Sequence, residues 1–258
     1  VHMEMDLKAG DGTTITLQND SVGEAHKTLG LWKSALRTQK MLHKNNEYAR
    51  IILSSAVSKR ECWLAYYAVF LQRNNFVLPT CYFDRKQLGK LQQKTTSATL
   101  AKGGYVSKFP REVVYGPQIY GGIAMRTLWG EQLIQQVQTV IKHIRCDGDH
   151  NIMFRIVFMW AQLNTGMGFH LLEYPGLSVP HLECKWMELM RSGLADLQGS
   201  IQCIENFIVP IAREGDTYIM DAICELKKFT KNEVRQINAC RLYPKVLLTS
   251  DISTPCGT

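Results

Sequence analysis

Two aspartates lie at a spacing that could serve metal chemistry. Asp147 and Asp149 flank a single glycine, and carboxylates are ligands that divalent cations prefer. The stretch from Cys146 to His150 also interrupts two apolar segments, and a solvated turn explains its composition equally well. A divalent-metal enzyme that uses these two carboxylates is therefore one hypothesis, and a solvated turn is the alternative.

His181 and Cys184 have the spacing of one half of a zinc site, with His170 and Cys203 nearby in the sequence. A structural zinc ion needs four converging ligands, and no second closely spaced pair is present. The eight cysteines are spread along the chain without a Cys-x-x-Cys pair, a pattern typical of intracellular proteins without a disulfide framework. We therefore predict no metal ligand and no cofactor in this chain.

Motifs for catalysis are missing from the sequence. It has no Walker-type glycine loop, no Gly-x-Ser-x-Gly turn and no His-Glu-x-x-His helix, and no spacing selects one cysteine as a nucleophile. The sequence therefore favours binding over turnover, and no catalytic residue is predicted.

Basic residues are concentrated in the first half of the chain. Between Ala25 and Arg111 there are sixteen lysines and arginines against three acids, although the whole chain has a formal net charge of +7. Such a surface favours a polyanion, because each neutralised phosphate releases condensed counterions. A basic face that only keeps the protein in solution is the alternative.

The stretch from Gly103 to Gly122 is rich in glycine, proline and tyrosine. Glycine and proline favour turns, and the large apolar side chains offer area to bury, so we predict an ordered loop rather than a flexible linker. Tyr105, Lys108 and Arg111 combine an aromatic ring with two cations, which suits a nucleic-acid backbone. An inter-domain turn is the alternative.

Apolar periodicity predicts a mainly α-helical protein that begins with a short β-hairpin. Capping boxes predict helices that begin after Asp84 and Thr230. Helices at 60–74 and 151–165 are apolar around most of their circumference, so both are predicted to be buried. Further elements are expected at 34–57, 181–193, 197–208 and 215–229, with one helix ending near Arg145 and a strand at 245–249.

A chain of 258 residues can form one large or two modest domains without disulfides or metals. We divide it into a β-hairpin at 1–32, a basic helical domain at 33–122 that includes the central loop, and a second helical domain at 123–258. No run of about 18 apolar residues could span a membrane, and no apolar signal segment follows the N-terminus. An intracellular protein without membrane contact is therefore expected.

Four stretches of the sequence occur in an order that is known from one family. They are Lys27-Thr28-Leu29-Gly30; Trp63-Leu64-Ala65-Tyr66-Tyr67 with Leu78-Pro79-Thr80; Gly104-Tyr105 with Phe109 to Pro117 and Tyr120-Gly121-Gly122; and Ile237 to Tyr243 with Ser250-Asp251-Ile252. Together they resemble the region that follows the catalytic palm in reverse transcriptases of non-LTR-type retrotransposons from protists and fungi. The third stretch is the most specific.

The resemblance implies a primer-grip-like hairpin at 1–32, with Lys27 near the primer end, a thumb at 33–122 that holds the template–primer duplex, and a helical connection at 123–258. A Tyr-x-Asp-Asp segment is absent, and polymerase chemistry needs two metal ions held by palm carboxylates. The resemblance therefore implies that Mg²⁺ and catalysis belong to fingers and palm domains of a parent RNA-directed DNA polymerase. It also implies a nuclear location.

The sequence thus predicts the nucleic-acid-binding part of a reverse transcriptase, which grips an RNA–DNA or DNA duplex by its backbone and is not catalytic by itself. The alternative is a helical protein–protein interaction module that docks through the helices at 60–74 and 151–165 and has a basic solubilising face. The predicted nucleic-acid-binding residues are Lys27, Lys33, Arg37, Lys40, Lys59, Arg60, Arg85, Lys86, Lys90, Lys94, Tyr105, Lys108 and Arg111.

Overall fold

Four short strands precede the helices in the computed structural model of the chain, which describes residues 4–8, 14–18, 26–28, 31–33 and 37–253, except 107, 203–206 and 212. The strands are Glu4–Lys8 (β1), Thr14–Gln18 (β2), His26–Thr28 (β3) and Leu31–Lys33 (β4), and β1 pairs antiparallel with β2 as β3 does with β4. Side chains are described from residue 39 onward. The primer-grip-like hairpin therefore stays a prediction.

The described part of the chain is mainly α-helical, as the sequence predicts. The α-helices are Arg37–Ser54 (α1), Lys59–Ala65 (α2), Gln72–Asn75 (α3), Arg85–Lys102 (α4), Arg111–Tyr115 (α5), Leu128–Arg145 (α6), Asp149–Thr165 (α7), Lys185–Asp196 (α8), Ile219–Leu226 (α9) and Lys231–Leu242 (α10). A π-helical turn, Tyr66–Leu71, joins α2 to α3 in one continuous segment. The predicted capping boxes of α4 and α10 are confirmed: Asp84 pairs with Gln87, and Thr230 with Glu233.

The chain divides into two compact units. The first comprises residues 1–77 and 83–131, and the second comprises residues 78–82 and 132–258. The segment after residue 122 is bound to the first unit, because the hydroxyls of Tyr66 and Tyr67 donate to the carbonyls of Arg126 and Ala124 at 2.7 and 3.4 Å. The first unit therefore extends to residue 131, beyond the predicted boundary at residue 122.

The core of the first unit lies between α1, α4 and the segment from α2 to α3. Tyr66, Phe70, Leu88 and Leu91 are among its largest fully buried side chains. The rings of Tyr66 and Phe70 stack with their centroids 5.2 Å apart. Since α4 is buried on the side of its leucines, its opposite side faces solvent.

Methionines occupy the centre of the second unit. Met187 and Met190 of α8 are buried with Met220 of α9, and they belong to the same cluster as Val140 of α6 and Phe158 of α7. Methionine side chains are flexible enough to fill the irregular spaces between helices. The second unit is thus a separate helical body with its own core.

The prediction that α7 is mostly buried is wrong. Its Phe158 and Ala161 are buried in the second unit's core, but Met153 is 66% exposed and Trp160 is 57% exposed. An apolar residue has the same sequence signal whether or not a partner covers it. The same error affects the segment at 60–74, where Leu64 is 64% exposed.

Two other predicted elements are wrong in the described part of the chain. Residues 197–202 are not helical, because Leu197 ends α8 and Gln198 has a positive φ of 53°. Residues 245–249 do not form a strand, since Leu248 makes only one bridge to Tyr218 before a 3-10 turn at Thr249–Asp251. The remaining residues of the predicted 197–208 helix include 203–206, which lie outside the described residues.

The described residues of the central stretch from Gly103 to Gly122 are ordered by backbone hydrogen bonds, as predicted. The amide of Ile123 donates to Val113 at 2.9 Å, and the amide of Ala124 donates to Gly116 at 2.8 Å. A Cβ at Gly122 would lie 2.1 Å from the Gly116 carbonyl oxygen, so only glycine permits this approach of the two backbones. The stretch contains α5 and a 3-10 turn at Gln118–Tyr120.

Candidate nucleic-acid interface

The outer face of α4 is cationic along the first half of the helix. Lys86, Lys90 and Lys94 are exposed and recur every four residues, which places them on one side of the helix. Arg85 is exposed beside them, and α4 contains no acidic residue. The result is a row of positive charge on a rigid element.

A buried glutamine fixes the position of α4. The Nε2 of Gln92 donates to the Tyr66 hydroxyl at 2.8 Å and to the Arg126 carbonyl at 3.0 Å, and its Oε1 accepts from the Leu128 amide at 2.8 Å. Burial raises the pKa of Tyr66 well above its usual value, so its hydroxyl stays protonated and donates to the Arg126 carbonyl. The donor and acceptor groups of the Gln92 side chain are thus all satisfied inside the first unit.

A second buried polar contact holds α1 against α4. The Nδ2 of Asn45 donates to the Asn74 side chain and to the Leu91 carbonyl, both at 3.3 Å. Thr95 of α4 donates to the Asn45 carbonyl, also at 3.3 Å. Buried polar groups that satisfy one another specify a single packing arrangement. The charged faces of α1 and α4 therefore keep a defined relative position.

A groove of about 1140 Å³ runs between α1 and α4. Small side chains, including those of Ala49, Ala98 and Ala101, lie along it, and His43, Arg50 and Lys94 are its basic residues. Glu47 is the acidic residue that lines the groove. A smaller groove of about 360 Å³ adjoins His43 and is lined by Gln39, Lys40 and Lys44. Small apolar groups with cations beside them suit a sugar–phosphate backbone.

The structure brings part of the predicted set together. Lys40 and Lys94 line these grooves, and Arg85, Lys86 and Lys90 share α4 with Lys94. His43, Lys44 and Arg50 also line the grooves but are absent from the predicted set. His43 and Lys44 follow Lys40 by three and four residues, and Arg50 follows His43 by seven, so their helical spacing was the signal that could have found them.

Lys59 and Arg60 lie apart from that row, at the start of α2, and both are exposed. The Lys59 ammonium lies next to Gly104, because a Cβ on that glycine would be 2.7 Å from Nζ. Gly104 follows the C-terminus of α4, whereas Lys86 lies in its first turn. The predicted cations thus flank both ends of α4.

The three predicted residues of the central loop differ in their exposure to solvent. Lys108 is exposed, and Tyr105 is 39% exposed. Arg111 is half-buried, and its Nη2 donates to Ser97 of α4 at 3.3 Å. Arg111 therefore joins the loop to α4. Lys27 of β3, Lys33 of β4 and Arg37 of α1 have side chains outside the described residues.

Of the candidate metal ligands, the two aspartates are exposed and His181 is bound to the backbone. Asp147 and Asp149 are exposed on either side of Gly148, whose φ of 121° forms the turn between α6 and α7. His181 is buried, and its Nε2 donates to the Thr165 carbonyl at 2.8 Å. Within the described ranges, no three His, Cys, Asp or Glu side chains converge as metal ligands would. None of the helices in those ranges is both long and apolar enough to cross a membrane.

Comparison with known protein families, curated proteins and solved structures found no match.

Proposed function

We propose that the first unit binds a nucleic-acid duplex by its phosphate backbone, as the thumb of a retrotransposon reverse transcriptase would. The observation that carries this proposal is the row of cations on α4 beside the groove that it forms with α1. The resemblance of the sequence to the region after the catalytic palm supports the same function. A nuclear location, and a parent polymerase whose palm holds Mg²⁺, belong to this proposal.

The size of α4 sets the expected footprint. Its 18 residues extend about 27 Å at a rise of about 1.5 Å per residue. At about 3.4 Å per base pair, this span covers about eight base pairs. Lysine side chains contact phosphates as point charges without base readout, so we expect affinity to depend little on sequence and strongly on salt.

Fluorescence anisotropy with a 16-base-pair RNA–DNA hybrid and a DNA duplex, at several salt concentrations, tests the proposal. Changing Lys86, Lys90 and Lys94 together to glutamine should weaken binding at least about tenfold. It should also flatten the slope of log affinity against log salt by about three, because each phosphate contact contributes about one. Sequence changes in the duplex should have little effect.

A matched control removes the same charge elsewhere. Lys142, Lys228 and Lys245 are exposed in the second unit, and changing all three to glutamine should leave the salt slope at the wild-type value. Equal losses in the two triple variants would mean that net charge, rather than the α4 row, drives binding. In that case the proposal for the first unit would be wrong.

A second candidate function follows from the exposed face of α7. Seven large apolar side chains lie on it: Ile152, Met153, Ile156, Val157, Met159, Trp160 and Leu163, each between 43 and 66% exposed. A large continuous apolar patch marks an interaction surface. We propose that a second copy of this chain covers it, with α7 packing against α7.

The area of the face fits a pair of chains. An aromatic side chain buries about 150–250 Å² and a large aliphatic one somewhat less, so each half-exposed member of the patch offers on the order of 100 Å². Seven from each copy give on the order of 1,400 Å², within the range of about 1,200–2,000 Å² that stable interfaces bury. The patch carries no charge among its seven members, so two identical faces can meet without repulsion.

Sedimentation velocity over a range of protein concentrations, without nucleic acid, tests this candidate. The wild type should associate as concentration rises, and the variant Ile156→Glu with Trp160→Glu should stay monomeric. Gln138→Glu with Ser192→Glu adds the same charge at exposed polar positions and should associate like the wild type. A wild type that is monomeric at every concentration would exclude the dimer.

A further inference from the structure

An aromatic cavity of about 480 Å³ lies at the end of the first unit where α4 gives way to the central loop. Trp63 and Tyr67 form one wall, one turn apart along the segment that begins with α2. Tyr105 and Phe109 form another, with ring centroids 5.5 Å apart, and Tyr105 is nearly perpendicular to Trp63 at 6.3 Å. The cavity has the size of a small-molecule site and is lined by π faces.

A polar group and glycine backbone complete the cavity. Gln118 is exposed on its lining, and a carboxamide has both the donors and the acceptor that match the edge of a nucleobase. Gly121 and Gly122 also line the cavity. Their amides donate to the backbone carbonyls of Gln118 and Pro117 at 2.9 and 3.0 Å. The wall that carries Gln118 is therefore a fixed turn.

Cations lie beside this cavity. Lys59 is one turn before Trp63 on α2, and its ammonium lies next to Gly104, the residue before Tyr105. Lys108 is exposed directly before Phe109. Aromatic rings for stacking, an amide for a base edge and ammonium groups for a phosphate are the parts that a single nucleotide requires.

We propose that this cavity takes one unpaired nucleobase from the end of the bound strand, stacked on the aromatic walls, with its phosphate at Lys59. This inference rests on the proposed duplex-binding function of the first unit and adds a single-nucleotide site to it. The exposed side chains of Ile119 and Tyr120, 84 and 86% exposed in the turn that carries Gln118, offer further apolar surface to the strand.

The test compares one duplex in blunt form and with a three-nucleotide single-stranded end, of either polarity, that contains 2-aminopurine. Stacking on an aromatic side chain contributes about 1–3 kcal/mol per base, so the wild type should bind one overhang about tenfold more tightly than the blunt duplex. The fluorescence of 2-aminopurine should fall on binding.

Variants of Tyr105 distinguish stacking of the unpaired base from binding of the duplex backbone. Tyr105→Ala should bring the affinity ratio of overhang to blunt duplex close to one, and Tyr105→Phe, which keeps the ring, should preserve it. The variant that lacks Lys86, Lys90 and Lys94 should weaken both affinities and keep their ratio. A wild-type ratio of one for both polarities, with blunt binding intact, would overturn the single-nucleotide site alone. Absence of blunt-duplex binding would overturn the proposed function itself.

Discussion

Helices α4 and α7 are held inside their units by the same kind of contact but present opposite surfaces. Gln92 of α4 bonds Tyr66 and the backbone around Arg126, and Gln162 of α7 donates to the carbonyls of Met167 and Phe169, both at 2.8 Å. The outer face of α4 carries lysines, whereas that of α7 carries isoleucine, methionine and tryptophan. Two helices can therefore be anchored alike and still present different surfaces to solvent.

The largest expected effect contrasts the two sides of α7. Phe158→Ala should lower the free energy of unfolding by about 3–5 kcal/mol, because it leaves a cavity in the core of the second unit. Ile156→Gln, on the exposed face two residues earlier, should change the stability of the monomer by less than about 0.5 kcal/mol when measured at protein concentrations below those at which chains associate. Urea unfolding followed by circular dichroism measures both. Similar losses in the monomer would mean that another part of the same chain covers Ile156.

Removing a buried glutamine should be the next largest effect. Gln92→Leu leaves the Leu128 amide without its partner, at a cost of about 1–3 kcal/mol, and removes one of the two donors to the Arg126 carbonyl, which keeps the Tyr66 hydroxyl. Gln162→Leu should cost a similar amount in the second unit. Gln93→Leu is the control, since Gln93 is exposed on the next position of α4, and it should be nearly neutral. A neutral Gln92→Leu would show that the contact does not hold α4.

Sequence patterns predicted that both α4 and α7 are helices. They predicted the exposed face of α4 but not that of α7. The capping box of Asp84 and Gln87 set the start of α4, since it depends on neighbouring residues alone. Its lysines are charged, and charged side chains stay in solvent, so their exposure also followed from the sequence. For α7, the pattern could not distinguish a covered face from an exposed one, because burial depends on a neighbour elsewhere in the chain.

The candidate site was predictable to a similar extent. The lysines of α4 could be selected by charge and spacing, but the groove with α1 depends on contacts between residues far apart in sequence, such as Asn45 with Leu91. The aromatic cavity required Trp63 and Tyr105 to meet, and no local pattern predicts a contact across 42 residues. Charge alone also selected Arg111, which lies in a basic region of the sequence. In the structure its guanidinium donates to Ser97 of α4 instead of being fully exposed.

Lys86→Glu in α4 should raise the stability of the protein and lower its affinity for a duplex. Arg85 and Lys86 lie in the first turn, where the helix dipole favours acids, and that turn contains none. A glutamate at 86 meets this preference and can pair with Lys90, so stability should rise by about 0.5–1 kcal/mol. Duplex affinity should nevertheless fall about tenfold if residue 86 contacts phosphate. Thermal unfolding and anisotropy on the same samples measure both, and unchanged affinity would remove Lys86 from the interface.

The smallest expected effect concerns pH and distinguishes the two units. His181 is buried in the second unit and donates to the Thr165 carbonyl, and desolvation lowers its pKa below the usual 6.5. The unfolded chain therefore takes up a proton below pH 6.5 that the folded chain does not. Stability from the neutral ring is complete above pH 6.5 and is lost as pH falls towards the lowered pKa.

Hydrogen exchange between pH 7 and 5, corrected for the intrinsic rate, should detect this difference. The Gly166 amide, next to Thr165, should lose protection as pH falls, whereas the Leu128 amide, bound to Gln92, should keep it. The contacts of Gln92 are made by an amide, a tyrosine hydroxyl and backbone groups, which do not titrate in this range. His181→Gln keeps a donor for Thr165 and should remove the pH dependence at Gly166. Equal pH dependence in that variant would assign the effect to another group, and the contrast between the two units would then rest on their outer faces alone.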